Sequence, residues 1–258
     1  MTVLAVQKEE NYIYVASDSR CSWNGITVDY CTKIFKVDLK IRTSIGFEKN
    51  TSVGFAFAGG VDFFFDIKNR LEFVLSNVFV QQSEVELDNI VCELIRNVCQ
   101  DVADAYKQSF AKTGSNLVGN TDILLFMKSL VNDGTGATDF VYKDFWIDND
   151  YNVRLIDKSG EYQFFGSGEG AARRLKDSGD YEWKNIVRFV KDVIDDMSKA
   201  GNVSVGGNVQ VGVLERDGFR VLGYRDIDKN GNYVYYYGSA VIPDYEYFEP
   251  LGASFLVV

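Results

Sequence analysis

Histidine is absent from the 258 residues. Every Ser-His, Cys-His and His-ligated metal mechanism is thereby excluded, and a hydrolase built on this chain must take its base from lysine, a carboxylate or its own α-amine. Cysteine is sparse: Cys21, Cys31, Cys92 and Cys99 are too few for a disulfide scaffold in a chain of this length, which leads us to expect a reducing, cytoplasmic compartment. No apolar run reaches the ~18 residues of a membrane-spanning helix, and no basic segment followed by an apolar core and cleavage site opens the chain. Basic residues are outnumbered by acidic ones, 27 to 37, for a net charge of −10. Phosphate binding needs a lysine and arginine footprint that this balance does not supply, so neither nucleic acid nor a membrane surface is an expected partner. Proteins and peptides are.

What is present is an ordered succession of elements. With 46% hydrophobic residues the chain can bury one large core, and a single domain over 1–258 is expected. Residues 3–8 and 12–17 read as a hairpin across Glu9-Glu10-Asn11, its first strand beginning at Thr2. A short pair follows at 34–38 and 41–46. The apolar run 53–58 reads as a strand covered on both faces and ends at Gly59-Gly60, a strand-to-helix turn. Apolar residues then recur at helical spacing over 60–78 and again from Leu87 to Phe110, the second helix opened by Glu84 and Glu86 and carrying Cys92 and Cys99 on its core face. Strands are expected at 121–130 and 138–147 across Asn132-Asp133-Gly134, with a further hairpin at 151–157 and 161–165. Gly166-Ser167-Gly168 leads into a helix, and Trp183, Ile186, Val187, Val190, Val193, Ile194 and Met197 mark another. Strands at 208–215, 218–224 and 232–242 close the chain. Strands, two helices, strands, two helices, strands: this order implies an α/β (α+β) fold, a four-layer αββα sandwich of two antiparallel sheets covered by helix pairs.

Three features carry chemistry. Thr2 follows the initiator Met1, whose removal is expected before so small a residue. A free α-amine would then stand on a β-hydroxyl residue, and with a reference pKa of about 7.7–8.0 it can accept the hydroxyl proton. Asp18 and Lys33 come next. An ammonium beside Thr2 would lower the pKa of the amine, and a carboxylate would keep that lysine charged and oriented. Each alone reads more readily as surface charge, and the shared spacing from the terminus is what favours the joint reading. Third, the Gly59-Gly60 amides, opening a helix, suit an oxyanion hole, although packing alone also explains such a turn. Gly166-Ser167-Gly168 positions a water or the terminal amine, or only turns the chain; no Gly-Lys-Ser/Thr follows to make it a phosphate loop. Asp226, Asp228, Asn230 and Asn232 imitate half of a calcium loop, but Tyr237 stands where the bidentate Glu belongs, so a hairpin turn at Asn230-Gly231 is expected. No metal or cofactor is called for. The alternating Tyr233–Tyr237 segment reads as packing or subunit contact.

In order and spacing, Thr2–Val6, Val15–Arg20, Thr32–Val37, Phe57–Asp62 and Gly166-Ser167-Gly168 resemble the signature segments of proteasome β-subunits and their bacterial relative HslV, N-terminal nucleophile hydrolases of the threonine peptidase type. The start is most similar to HslV, with only an initiator Met expected before the threonine. The resemblance implies Thr2 as nucleophile and amine base, Asp18 and Lys33 as its electrostatic partners, Gly59 as oxyanion donor and Ser167 as a helper near the amine. It implies a substrate pocket lined by Cys21, Cys31 and Phe57, favouring apolar side chains of modest size. It also implies polypeptide substrates, a homo-oligomeric ring and an AAA+ unfoldase as partner.

The chain departs from the family in two places. The interval from Thr2 to Lys33 is one residue short, which puts a deletion near Gly25. Where many members carry an Asp and a Ser-Gly-Gly, this chain has Asn202-Val203-Ser204-Val205-Gly206-Gly207. The alternatives to a threonine endopeptidase are a catalytically inactive proteasome-like protein for assembly or binding, and an amidohydrolase in which Thr2 acts on a small amide.

Overall fold

Apolar and polar residues alternate from Phe35 to Arg42, and their burial alternates with them. The computed structural model accordingly makes them one long strand rather than the short pair expected at 34–38 and 41–46. The structure describes residues 2–23, 26–81, 87–110, 120–131, 139–157, 160–178, 186–228, 230–238, 240–242 and 255–257. Met1, Gly25, Glu84, Glu86, the Asn132–Gly134 turn and Trp183 lie outside them. The chain divides into two compact units, each assembled from separate segments: 1–35, 160–213 and 220–258 form the first, 36–159 and 214–219 the second.

The first unit starts with the expected hairpin, β1 (Leu4–Lys8) and β2 (Ile13–Asp18), antiparallel with Leu4 opposite Ser17. The strand begins at Leu4 and not at Thr2 as expected, so that Val3 alone separates Thr2 from it. A two-stranded sheet follows, β3 (Cys21–Trp23) with β4 (Ile26–Val28). β11 (Tyr162–Phe165) lies along the other edge of β1, Leu4 opposite Phe165. On the β2 side come β12 (Val209–Glu215), β13 (Gly218–Ile227), β14 (Tyr233–Tyr237) and β15 (Ala240–Ile242), in that order, with β16 (Phe255–Val257) parallel to β13. The predicted strand 232–242 is thus two strands folded back on each other, Tyr235 opposite Ile242, at a turn where Gly238 takes a φ of 58°. The Asn230-Gly231 turn is a hairpin as expected. Asp228 Oδ1 accepts from the amides of Asn230 and Asn232, each at 2.8 Å. Helices α3 (Glu169–Asp177) and α4 (Ile186–Lys199) pack on each other, and α4 lies on β1 and β2. Ile186, Val187, Phe189, Val190, Val193 and Met197 face Val3, Ala5, Ala16, Val209 and Val211 in one apolar core. Removal of this much apolar surface from water stabilises the layer pair, at about 25 cal/mol per Å².

In the second unit the sheet order is β10 (Val153–Asp157), β9 (Phe140–Ile147), β8 (Thr121–Lys128), β6 (Glu48–Ala58), β5 (Ile34–Thr43), β7 (Val78–Val80). β5 turns into β6 at Gly46, whose φ of 85° is a conformation that costs glycine little. Helix α1 (Val61–Leu75) stops three residues earlier than its pattern suggests. Val78, the last apolar residue of that pattern, belongs instead to β7, which runs parallel to β5 with Val78 opposite Ile41. Helix α2 (Leu87–Phe110) packs on α1 and on β9 and β10. Its Cys92 and Cys99 are free and buried, as expected, and burial pushes the Cys92 thiol up to about 11. The hairpin expected at 151–157 and 161–165 does not exist. β10 pairs with β9 while β11 pairs with β1, so the two strands belong to different sheets. Local alternation identifies a strand and is silent about its partner.

Within this unit Gly54 of β6 lies against Phe219, and a Cβ there would stand 2.1 Å from the ring. Replacing Gly54 by Ala is expected to destabilise the protein by about 1–3 kcal/mol, the range of core overpacking. A urea melt with a midpoint matching the unaltered protein would contradict that packing.

Candidate active site

Asp18 ends β2 one register step beyond the Leu4–Ser17 pair, which puts it beside Val3. Its main-chain amide donates to Val3 O at 3.2 Å, and its Oδ1 accepts from the Val3 amide at 3.0 Å. The same Oδ1 accepts from Lys33 Nζ at 2.8 Å. Oδ2 accepts from the amides of Gly206 at 3.1 Å and Arg20 at 3.3 Å. Both side chains of the pair are shut off from water, Asp18 at 0% and Lys33 at 1% exposure. Burial is the largest influence on each, pushing the Asp18 carboxyl up and the Lys33 ammonium down, while their mutual attraction opposes both shifts.

Thr2 is held from the opposite side by the turn before α3. Its amide donates to Ser167 Oγ at 3.1 Å, and its carbonyl accepts from the Gly168 amide at 3.0 Å and from Ser167 Oγ at 3.4 Å. Two glycines make this approach possible. A Cβ on Gly166, whose φ is 81°, would stand 2.4 Å from Thr2 O, and one on Gly168 would stand 2.5 Å from Val3 Cβ. The Gly-Ser-Gly spacing is therefore a requirement of contact with the start of the chain. Ser17 Oγ donates to Val3 O at 3.0 Å and completes the grip on this segment.

The structure thus brings Thr2, Asp18, Lys33 and Ser167 together in the first unit. Gly59 lies in the second, at the turn from β6 to α1. A φ of 138° and the closeness of Thr121, 2.4 Å from where a Cβ would stand, restrict this position to glycine, and the Gly60 amide donates to Thr121 Oγ1. The expected pocket lining needs correction. Phe57 is wholly buried in the second unit, stacked on Phe64 with ring centroids 3.8 Å apart, and offers no surface to a ligand. Cys21 and Cys31 are not separate thiols. They form a disulfide that closes the β3–β4 loop at its base. The Arg20–Asp29 ion pair braces the same loop, with Nη2 to Oδ2 at 2.8 Å, and holds the Asp29 carboxyl below the usual range.

Some participants were not anticipated from sequence. Gln210 of β12 is wholly buried; its Oε1 accepts from the Lys33 amide at 2.8 Å and its Nε2 donates to Cys31 O at 2.7 Å. The signal was a lone amide inside the apolar run Val209–Leu214, because a buried polar group demands partners. Gly206 and Gly207, which the resemblance matched to the family's Ser-Gly-Gly, reach the same place: a Cβ on Gly206 would meet the Arg20 guanidinium at 2.6 Å, and one on Gly207 would meet Ser19 Oγ at 2.5 Å. Asn202 Oδ1 accepts from the amide and hydroxyl of Ser204, while Val205 is buried in the apolar core.

A buried carboxylate and ammonium are thus joined through the Val3 amide to the Thr2–Val3 segment, which Ser167 and Gly168 hold from the other side. No family model and no curated protein matches the chain. Solved structures do: the fold is that of the proteasome-like N-terminal nucleophile hydrolases, mixed α/β with paired helices, as the element order implied. The Anbu (Gly-1) mutant from Hyphomicrobium sp. strain MC1 matches over 97% of this chain and 91% of its own, at 15% identity and a TM-score of 0.52. HslV from Trypanosoma brucei matches over 84% of this chain and all of its own, at 13% identity and a TM-score of 0.45.

Removing one member of a buried ion pair leaves an uncompensated charge. Lys33→Ala is expected to lower the unfolding free energy by about 3–5 kcal/mol, and the double change Lys33→Met with Asp18→Asn to recover part of it, as chemical denaturation would register. Opening the Cys21–Cys31 loop by Cys21→Ser with Cys31→Ser is expected to cost about 2–3 kcal/mol. The intact mass of the unaltered protein should rise by a pair of hydrogens on reduction; no rise would remove the disulfide.

Proposed function

We propose that the chain, once Met1 is removed, is a threonine endopeptidase that uses Thr2 as nucleophile and acts on polypeptides within a homo-oligomeric ring. One observation carries this reading: a single oxygen of Asp18 joins the buried Lys33 ammonium to the Val3 amide, one residue along the chain from Thr2. Such a pair is costly to bury, and a cation held at that point supports a role for the amine and hydroxyl of Thr2.

In the proposed reaction the Thr2 α-amine accepts the Oγ proton as Oγ bonds to the scissile carbonyl carbon. The tetrahedral intermediate collapses, the C–N bond breaks, and the proton passes from the amine to the leaving nitrogen. An ester on Thr2 remains. Water then attacks this ester and gives a proton to the amine, the bond from the acyl carbon to Oγ breaks, and the amine returns the proton to Oγ as the carboxylic acid leaves. Lys33 lowers the pKa of the amine and stabilises negative charge on Oγ, Asp18 keeps the lysine charged and aimed, and Ser167 orients the amine. Oxyanion donation by the Gly59 amide rests on the motif resemblance alone, as does an AAA+ unfoldase partner. The low cysteine count favours the cytoplasm as the compartment and the Cys21–Cys31 disulfide opposes it, so the redox state of that pair in cells is the test.

A second reading, a catalytically silent assembly or binding protein on the same fold, has its own observation. The segment that carries Ser-Gly-Gly in many family members carries Val205 here, turned into the apolar core, and the Ser204 hydroxyl is engaged by Asn202. Intact mass separates the two. Protein expressed without a tag should lack Met1 and gain one inhibitor equivalent from a peptide epoxyketone, with no gain in Thr2→Ala. Retained Met1, or a processed chain that never labels, would leave the silent reading. The labelling rate should rise with pH through the amine's ionisation near 7.7–8.0 or below. It should fall again below the ordinary lysine range, because burial lowers the pKa of Lys33 and its charge is lost early.

A further inference from the structure

Gln210 is a neutral amide at the centre of the charged site, and all of its hydrogen-bonding groups are committed. Oε1 accepts from the amides of Lys33 at 2.8 Å and Ile34 at 3.4 Å. Nε2 donates to Cys31 O at 2.7 Å and Asp18 O at 3.4 Å. The carboxamide orientation is set by these partners, since two amides need an acceptor and two carbonyls need a donor. The side chain has no exposure, so none of these bonds can be exchanged for water without opening the site. An apolar residue would be the ordinary occupant of this strand position between Val209 and Val211.

We infer that Gln210 is a positioning residue: by holding the main chain at Asp18, Cys31, Lys33 and Ile34 at once, it fixes where the Lys33 ammonium stands against Asp18 and the segment that begins at Thr2. The inference rests on the reading of the site as a threonine peptidase for its consequence in catalysis, and on geometry alone for its consequence in the ion pair. Lys33 sits at the entry to β5 and Asp18 at the end of β2, on opposite sides of the β3–β4 loop. The disulfide and the Arg20–Asp29 pair brace that loop, and Gln210 ties its two ends to β12. The charged residues whose main chain it holds are Asp18 and Lys33, and the Arg20–Asp29 pair lies in the loop between them.

The test is Gln210→Met, close in size and unable to hydrogen-bond in this way. Two quantities are read in the full chain: the ionisation of Lys33, by NMR of carbon-labelled lysine, and the inactivation rate constant at saturating peptide epoxyketone. With the tether gone, water reaches the ammonium. Its pKa is expected to move back toward the ordinary lysine value by about one unit, with the inactivation rate constant falling about tenfold or more and the half-saturating concentration staying within about twofold. A merely structural amide would lower the melting temperature and leave the Lys33 titration unchanged, and that result overturns the inference. If the processed, unaltered protein never labels, the peptidase reading fails, and the Lys33 titration still decides the role of Gln210. Should Gln210→Met not fold, the unaltered protein decides it: the Gln210 carboxamide signals are expected to shift with the same midpoint as Lys33, and signals that stay fixed through that titration overturn the inference.

Discussion

The first unit depends on an ion pair with no water around it. A carboxylate and an ammonium each lose several kcal/mol of hydration on full burial, and their attraction offsets this only where further hydrogen bonds satisfy what remains. Asp18 meets that condition with four donors, three of them main-chain amides: Arg20 two residues on, and Val3 and Gly206 from further off in the chain. The carboxylate therefore organises the fold locally as well as the charge. It fixes the start of β1, the exit of β2 and the approach of the segment before β12 with one side chain.

That constraint explains the placement of the glycines. Gly166, Gly168, Gly206 and Gly207 all stand where a Cβ would overlap a neighbour at under 3.0 Å, and each of those neighbours belongs to the segments that Asp18 gathers or to their flanks. Close approach of main chain to main chain is what lets amides, rather than long side chains, satisfy a buried charge. The Cys21–Cys31 disulfide and the Arg20–Asp29 pair act on the intervening loop, closing it at its base.

Much of this was legible in the sequence. The absence of histidine narrowed the chemistry to lysine, carboxylate and amine, and the order of strands and helices gave the fold, because periodicity is set by local geometry. Thr2, Asp18 and Lys33 stood out because each sits at the edge of an apolar run, where a polar residue is either solvated or specifically held, and Ser167 because glycines flank it. Burial decides between those, and burial is not a local property. Gln210 carried a signal of the same kind, one polar residue in an apolar strand, yet its partners lie some 180 residues away.

Sequence by itself determined which residues could be strand, helix or turn, and which chemical groups were available. Tertiary structure alone decided partnership. β10 and β11 follow each other and join different sheets, Phe57 is sealed against Phe64, and Cys21 meets Cys31 across a loop. In each case the local pattern is the same whichever partner is chosen, so the choice falls to the packing of segments far apart in the chain.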